Sequence, residues 1–307
     1  MWKEWPLVAF TIAGQMAVGV FLMCGVPLAL SVVFPASAGP PPDAATHGLR
    51  IALLALVLAL LAVAALLSFF HLHHPFRARR VLTNLRTSWL SREIFFELGF
   101  MALVALGTLL TWRRPTNAGL AEAVLITAGF AGVLFLVSMS KLYMLQTVPS
   151  WNQAYTPLSF VMTALTLGAM ATALLIDVSV GGGVKHRYLL NLSSFLVAVE
   201  IVISLLLAPG HGVFGPRTGP SLRPRAETHR LLHLGRLTLL AAGLFFIGLE
   251  AMARANNFIE MDLMAGGFRG AIGRGASLSL ILAFVLVLAS EVAGRFLFYG
   301  LLTRPGR

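Results

Sequence analysis

The chain has 307 residues, 58% of them hydrophobic and 11% charged, against about 25% charged in an ordinary soluble domain. That composition excludes a soluble globular protein, and long unbroken apolar runs exclude an outer-membrane barrel, whose strands are segments of about 10 residues with alternating polarity. The formal net charge of +11 is carried by short loops between apolar segments, where it serves topology and lipid headgroups rather than nucleic acid.

A spanning helix needs about 20 predominantly apolar residues, and backbone polar groups in lipid must be satisfied within each segment. The first apolar run covers 6–33 and is followed by Ala36-Ser37-Ala38, which resembles a signal-peptidase site. The run far exceeds the 7 to 15 residues of a signal peptide's apolar core, so it reads as an uncleaved spanning helix. Cys24, the single cysteine, lies within it. One cysteine cannot close an internal disulfide or ligate an iron–sulfur cluster.

Seven further runs follow at 49–70, 90–112, 120–145, 157–176, 188–208, 231–252 and 277–301. Together they predict an all-α integral membrane protein, a bundle of about eight transmembrane helices forming a single polytopic membrane domain over residues 1–307. An even number of spans puts both termini on one side, together with the second, fourth and sixth loops. Basic residues on that side outnumber those opposite, which by the positive-inside rule would turn it toward the cytoplasm. Small residues four apart, Ala128 with Gly132 and Ala164 with Gly168, are expected to let helices approach closely in lipid.

Titratable groups gather between the second and third spans. There the sequence places His71, His73 and His74, then Pro75, then Arg77, Arg79, Arg80, Arg86 and Arg92, and opens the next apolar run with Glu93 and Glu97. Pro75 cannot continue a helix and disfavours helical geometry at His74, so the histidines stand at a membrane boundary. Histidine exchanges protons near neutral pH, as a hydrophobic diol or amine arriving from lipid would require; for a histidine at a helix end, solvation among headgroups is the commoner account. Glu93 and Glu97 share a helical face near the positive end of the helix dipole. Intramembrane acids normally face the bundle interior or a wet cavity, and Glu93 lies nearer the level of His71.

The eight histidines, His47, His71, His73, His74, His186, His211, His229 and His233, all fall in predicted loops or at predicted helix ends. No facing mid-helix pair offers axial ligands to a haem. Glu291 and Arg295 have the spacing of a favourable helical ion pair, expected to be a neutralised structural contact. Glu200 and Glu250 are lone acids within apolar segments, and Arg236 also falls within one.

With these residues in place, the chain resembles the membrane-anchor subunits of the dimethyl sulfoxide reductase family. The matching pieces are Glu4-Trp5-Pro6-Leu7; Phe70-His71-Leu72 with Pro75, Arg77 and Ala78; Leu90-Ser91 with Glu93-Ile94; Thr147-Val148-Pro149 with Trp151 and Thr156-Pro157-Leu158; and Glu291 with Gly294-Arg295 and Phe298-Tyr299-Gly300. The family's histidine motif usually has Gly where this sequence has His73.

The resemblance implies a subunit without haem or an iron–sulfur cluster of its own, in a bacterial or archaeal cytoplasmic (inner) membrane. It would anchor a ferredoxin-like iron–sulfur subunit and a molybdopterin catalytic subunit, and oxidise menaquinol or another quinol. Carried over, His71 and Glu93 match the quinol-site histidine and glutamate and Arg77 the nearby arginine, with His73 beside the quinol headgroup. The resemblance turns termini and quinol site toward the outer face, against the basic-residue count. Arg79, Arg80 and Arg86 are expected to dock the partner, which would give the same excess of positive charge. A transporter and a purely structural anchor without quinol chemistry are the competing classes; a transporter would show broken helices and ionisable groups near the midplane, whereas most charges here crowd the segment ends.

Overall fold

The computed structural model describes residues 5–25, 44–71, 84–113, 118–148, 150–180, 184–208, 223–263 and 278–300. Among these it is helical with short connecting turns, and eight helices are long and apolar enough to cross a membrane. They are α1 (Trp5–Val20), α2 (Ala44–His71), α3 (Trp89–Arg113), α4 (Ala118–Tyr143), α5 (Tyr155–Val180), α6 (Val184–Leu207), α7 (Arg223–Leu263) and α8 (Leu278–Gly300). The protein is a multi-pass, all-α membrane protein, as its sequence predicts.

Two boundaries differ from the hydropathy reading. The first helix runs as α-helix to Val20 and then widens into a π-helical turn over Phe21–Gly25, while the rest of the expected first span lies outside the described residues. Helix α7 is far longer than the apolar stretch 231–252, because the flanking segments carry strong helix formers, Arg, Ala and Glu, among residues too polar to register as part of a span. Hydropathy marks the part of a helix that lipid covers, not where the helix stops.

Local chemistry explains the other starts. Ser88 caps α3, its hydroxyl accepting from the Ser91 amide at 3.3 Å. Pro157 sits in the first turn of α5, where its missing N–H costs nothing.

Helices α1 and α5 form the centre. Of their spanning residues 72% and 67% are buried, against 28% for α2, α3 and α7. The two cross where Gly19 meets Ala164 and Gly168. A Cβ on Gly19 would sit 1.7 Å from the Ala164 carbonyl oxygen, and one on Gly168 would sit 2.3 Å from the Gly19 backbone. The close approach expected at Ala164 and Gly168 is therefore realised. Gly132 of α4 instead receives the Phe100 ring of α3, 3.2 Å from where its Cβ would be.

Consecutive helices alternate in direction, as cross-helix bonds show. Arg50 at the start of α2 pairs with Glu122 at the start of α4 at 2.6 Å, and Trp151, between α4 and α5, donates to the Phe298 carbonyl near the end of α8 at 2.8 Å. The start of α1, the end of α2, the start of α3, the α4–α5 turn and the end of α8 share one face, the N-terminal face.

Candidate functional site: buried polar groups near the N-terminal face

Seven acids are buried among the described residues: Glu93, Glu97, Glu122, Asp177, Glu200, Glu250 and Glu291. Five of them meet an arginine. Glu122 pairs with Arg50, Asp177 and Glu250 with Arg254, each at 2.5 Å, and Glu200 and Glu291 with Arg236 at 2.7 and 3.4 Å. Ser279 of α8 also donates to Glu250.

Glu93 and Glu97 are different. They are 2% and 4% exposed, lie one turn apart on the inward face of α3, and face no arginine among the described residues. One oxygen of each is fully enclosed without a hydrogen-bond partner among the described residues. Glu93 lies within electrostatic reach of Glu97 and of the hydroxyls of Tyr143 and Tyr299. Those tyrosines, with rings 5.5 Å apart, belong to an aromatic cluster completed by Trp151, Phe160 and Phe298. The Trp151 ring stacks on Phe298 at 5.1 Å, and Tyr143 touches both edgewise.

Beside this cluster a series of side-chain bonds crosses the bundle. Gln15 of α1 accepts from Arg295 Nη2 at 2.7 Å and donates to the Met139 sulfur at 3.3 Å. Arg295 also donates to Thr163 Oγ1 at 3.1 Å and covers the Phe160 ring at 3.8 Å. Thr163 in turn donates to Glu291 at 2.5 Å. Arg236 then links Glu291 to Glu200, Tyr155 and Ser204. Gly294 leaves room for it, since a Cβ there would sit 2.7 Å from Arg236 Nε. Glu291 and Arg295 therefore do not form the expected i,i+4 pair. Thr163 stands between them, and the countercharge on Glu291 comes from another helix. Glu200 and Glu250 gain as partners the arginines the sequence could not assign.

The sequence-predicted residues divide unevenly. Helix α2 ends at His71, on the face where α3 begins, so the His71 backbone and Glu93 share one end of the bundle. The His71 side chain, His73, Arg77, Arg79 and Arg80 lie outside the described residues. Arg86 is exposed ahead of α3, and its carbonyl accepts from Arg92 Nη2 at 2.6 Å. His229 and His233, expected at a helix end, stand well inside α7, one turn apart and buried, because that helix starts earlier than hydropathy indicates.

Gln15, Tyr143, Thr163 and Tyr299 are the residues sequence reasoning passed over as site components. Some carried a signal: Thr156-Pro157, Trp151, Arg295 and Phe298-Tyr299 are motif pieces far apart in the sequence that converge at this one end. Among the described residues no three His, Cys, Asp or Glu side chains gather as metal ligands.

Residues 1–209 match the family model described as DMSO reductase anchor subunit (DmsC). Over 305 residues the protein is 29% identical to the C subunit of anaerobic dimethyl sulfoxide reductase from Escherichia coli, an alignment that takes in 98% of this sequence and 95% of that one. It is 28% identical over 307 residues to the anaerobic dimethyl sulfoxide reductase subunit YnfH of the same organism, again with 98% and 95% aligned. To the C subunit from Haemophilus influenzae it is 27% identical, with 97% and 94% aligned. No solved structure matches. Eight spans, the convergence of the motif pieces at one end and a family match over more than half of its length establish that this protein belongs to the DMSO reductase anchor subunit family.

Proposed function

We propose that this anchor subunit binds a quinol, typically menaquinol, at the N-terminal face, oxidises it, and passes the electrons to a ferredoxin-like iron–sulfur subunit and on to a molybdopterin catalytic subunit. The observation that carries the proposal is Glu93: a carboxyl 2% exposed, with an unpartnered oxygen, at the end of the bundle where α2 delivers His71. A buried carboxyl that meets no arginine among the described residues is by default a candidate functional group, because burying such a charge is costly.

In this reading the quinol enters from the bilayer and one hydroxyl donates to neutral His71. His71 and Glu93 take the protons as electrons leave for the partner, and Arg77 stabilises negative charge on the ring oxygen. His73 lies where the headgroup sits and tunes its fit. Arg79, Arg80 and Arg86 dock the iron–sulfur subunit. The membrane is the bacterial cytoplasmic membrane, with this face outward.

His71→Ala and Glu93→Gln each lower quinol-driven reduction by about 10²- to 10⁴-fold, the range for a positioned acid–base group. Reduced artificial dyes still drive the catalytic subunit, because they bypass the anchor. Full quinol-driven turnover in both variants, in complexes assembled at normal yield, would refute the site. An anchor without quinol chemistry would leave the fluorescence of an added quinol analogue unchanged.

A further inference from the structure

The site as proposed leaves one group unused. Glu97 is enclosed almost as fully as Glu93 and likewise has an oxygen without a partner among the described residues. A structural acid in this protein has an arginine, as Glu122, Asp177, Glu200, Glu250 and Glu291 do. Glu97 has none among the described residues. Glu93 has Glu97 beside it and Tyr143 of α4 and Tyr299 of α8 within electrostatic reach, and those tyrosines in turn neighbour Arg295 of α8 and, for Tyr299, the uncharged Thr11 of α1. Helix α2 contributes the His71 end. Arg295 is itself committed to Gln15 and Thr163.

We propose that Glu97 is the proton-sharing partner of Glu93, the two forming one unit that accepts a single proton during quinol oxidation. This rests on the quinol reading above. Two uncompensated carboxylates one helical turn apart in a low-dielectric interior repel strongly, whereas one negative charge shared between two carboxyls costs far less. In this proposal the unit rests with one proton and one negative charge, the charge being favoured by the positive N-terminal end of α3.

The step balances. Oxidation of the quinol breaks two O–H bonds and releases two electrons, taken one at a time by the partner's iron–sulfur cluster. One proton goes to His71. The other goes to Glu93, which brings the Glu93–Glu97 unit from one negative charge to none. Release of both protons to water at the N-terminal face, one from the protonated His71 imidazole and one from the unit, restores neutral His71 and the singly charged pair. Glu97 lies one turn deeper than Glu93, so it acts through Glu93 as a positioning residue: it sets the proton affinity of the residue that faces the quinol.

The test uses the complete complex with its partner subunits. Quinol-driven turnover is measured against pH for Glu93→Gln, Glu97→Gln, Glu97→Asp and the double Gln variant, and pH-difference infrared spectra are recorded in the carboxylic acid C=O stretching region. Glu97→Gln lowers quinol-driven turnover by about 10²-fold and displaces its pH optimum, while Glu97→Asp recovers part of both. The double variant loses no more than the worse single, as for residues acting as a unit. The infrared band of the Glu93 carboxyl moves in Glu97→Gln.

A Glu97→Gln complex with wild-type turnover and pH profile would overturn the inference, as would losses that multiply in the double variant. Unchanged turnover in Glu93→Gln and His71→Ala would instead overturn the quinol reading, and the role given to Glu97 with it. The infrared shift would still report, separately, whether the two carboxyls are coupled.

Discussion

Arg236 shows how one residue can hold the interior of this bundle. Its guanidinium joins Glu200 of α6, Glu291 of α8, Tyr155 of α5 and Ser204 of α6, so removing it strands two carboxylates in a dry interior. Arg236→Met is expected to destabilise the purified subunit by about 3–5 kcal/mol, the cost of leaving a buried ion pair half-made. Adding Glu200→Met and Glu291→Met recovers most of that loss in thermal unfolding followed by circular dichroism. Sequence pattern gave access to these residues one at a time and no further. Spacing along one helix suggested Glu291 with Arg295, because periodicity reports faces of a single element. The true partner stands 55 residues away, on a helix whose orientation no spacing reveals. Glu93 was legible for a different reason: an acid in the first turns of an apolar run is conspicuous whatever surrounds it.

At the scale of elements, the α1–α5 crossing depends on the absence of side chains. Gly168→Leu cannot be absorbed by rotamer change, since the obstructing atoms are Gly19 backbone. The subunit is expected to lose detergent stability and to fail to accumulate in the membrane, measured by immunoblot of membrane fractions. Gly235→Leu, where an added Cβ meets nothing, is the control and accumulates normally. The crossing was legible as small residues four apart, though not its partner, Gly19. The length of α7 was not legible, because apolar content and helical propensity part company beyond the bilayer. Its early start carries His229 and His233 from an expected helix end into a buried face.

For the whole molecule, class and span count follow from length and hydropathy, because lipid leaves the backbone few choices. Orientation does not follow, since docking arginines and topogenic arginines give the same count. Arg86 is exposed just ahead of α3 and supplies a test. In a variant whose native Cys24 is replaced by Ser, produced without the partner subunits that would cover this position, Arg86→Cys is expected to react with a membrane-impermeant thiol reagent added to intact cells whose outer membrane is permeable to it. Reaction only after the cytoplasmic membrane is opened would place this face inside.

The distribution of countercharges has a bioenergetic consequence. At the far end of the bundle Arg50 pairs with Glu122 and Arg254 bridges Asp177 and Glu250, so every buried acid there among the described residues is held in contact with an arginine. The pair that meets no arginine among the described residues stands at the N-terminal end, where Arg86, one of the proposed docking arginines, also lies. Protons and electrons drawn from a quinol would then depart from the same face, and no net charge would traverse the bilayer in either orientation. Quinol-driven turnover of the complex in sealed liposomes should accordingly proceed at the same rate with and without a protonophore, and a voltage-sensitive dye should register no potential.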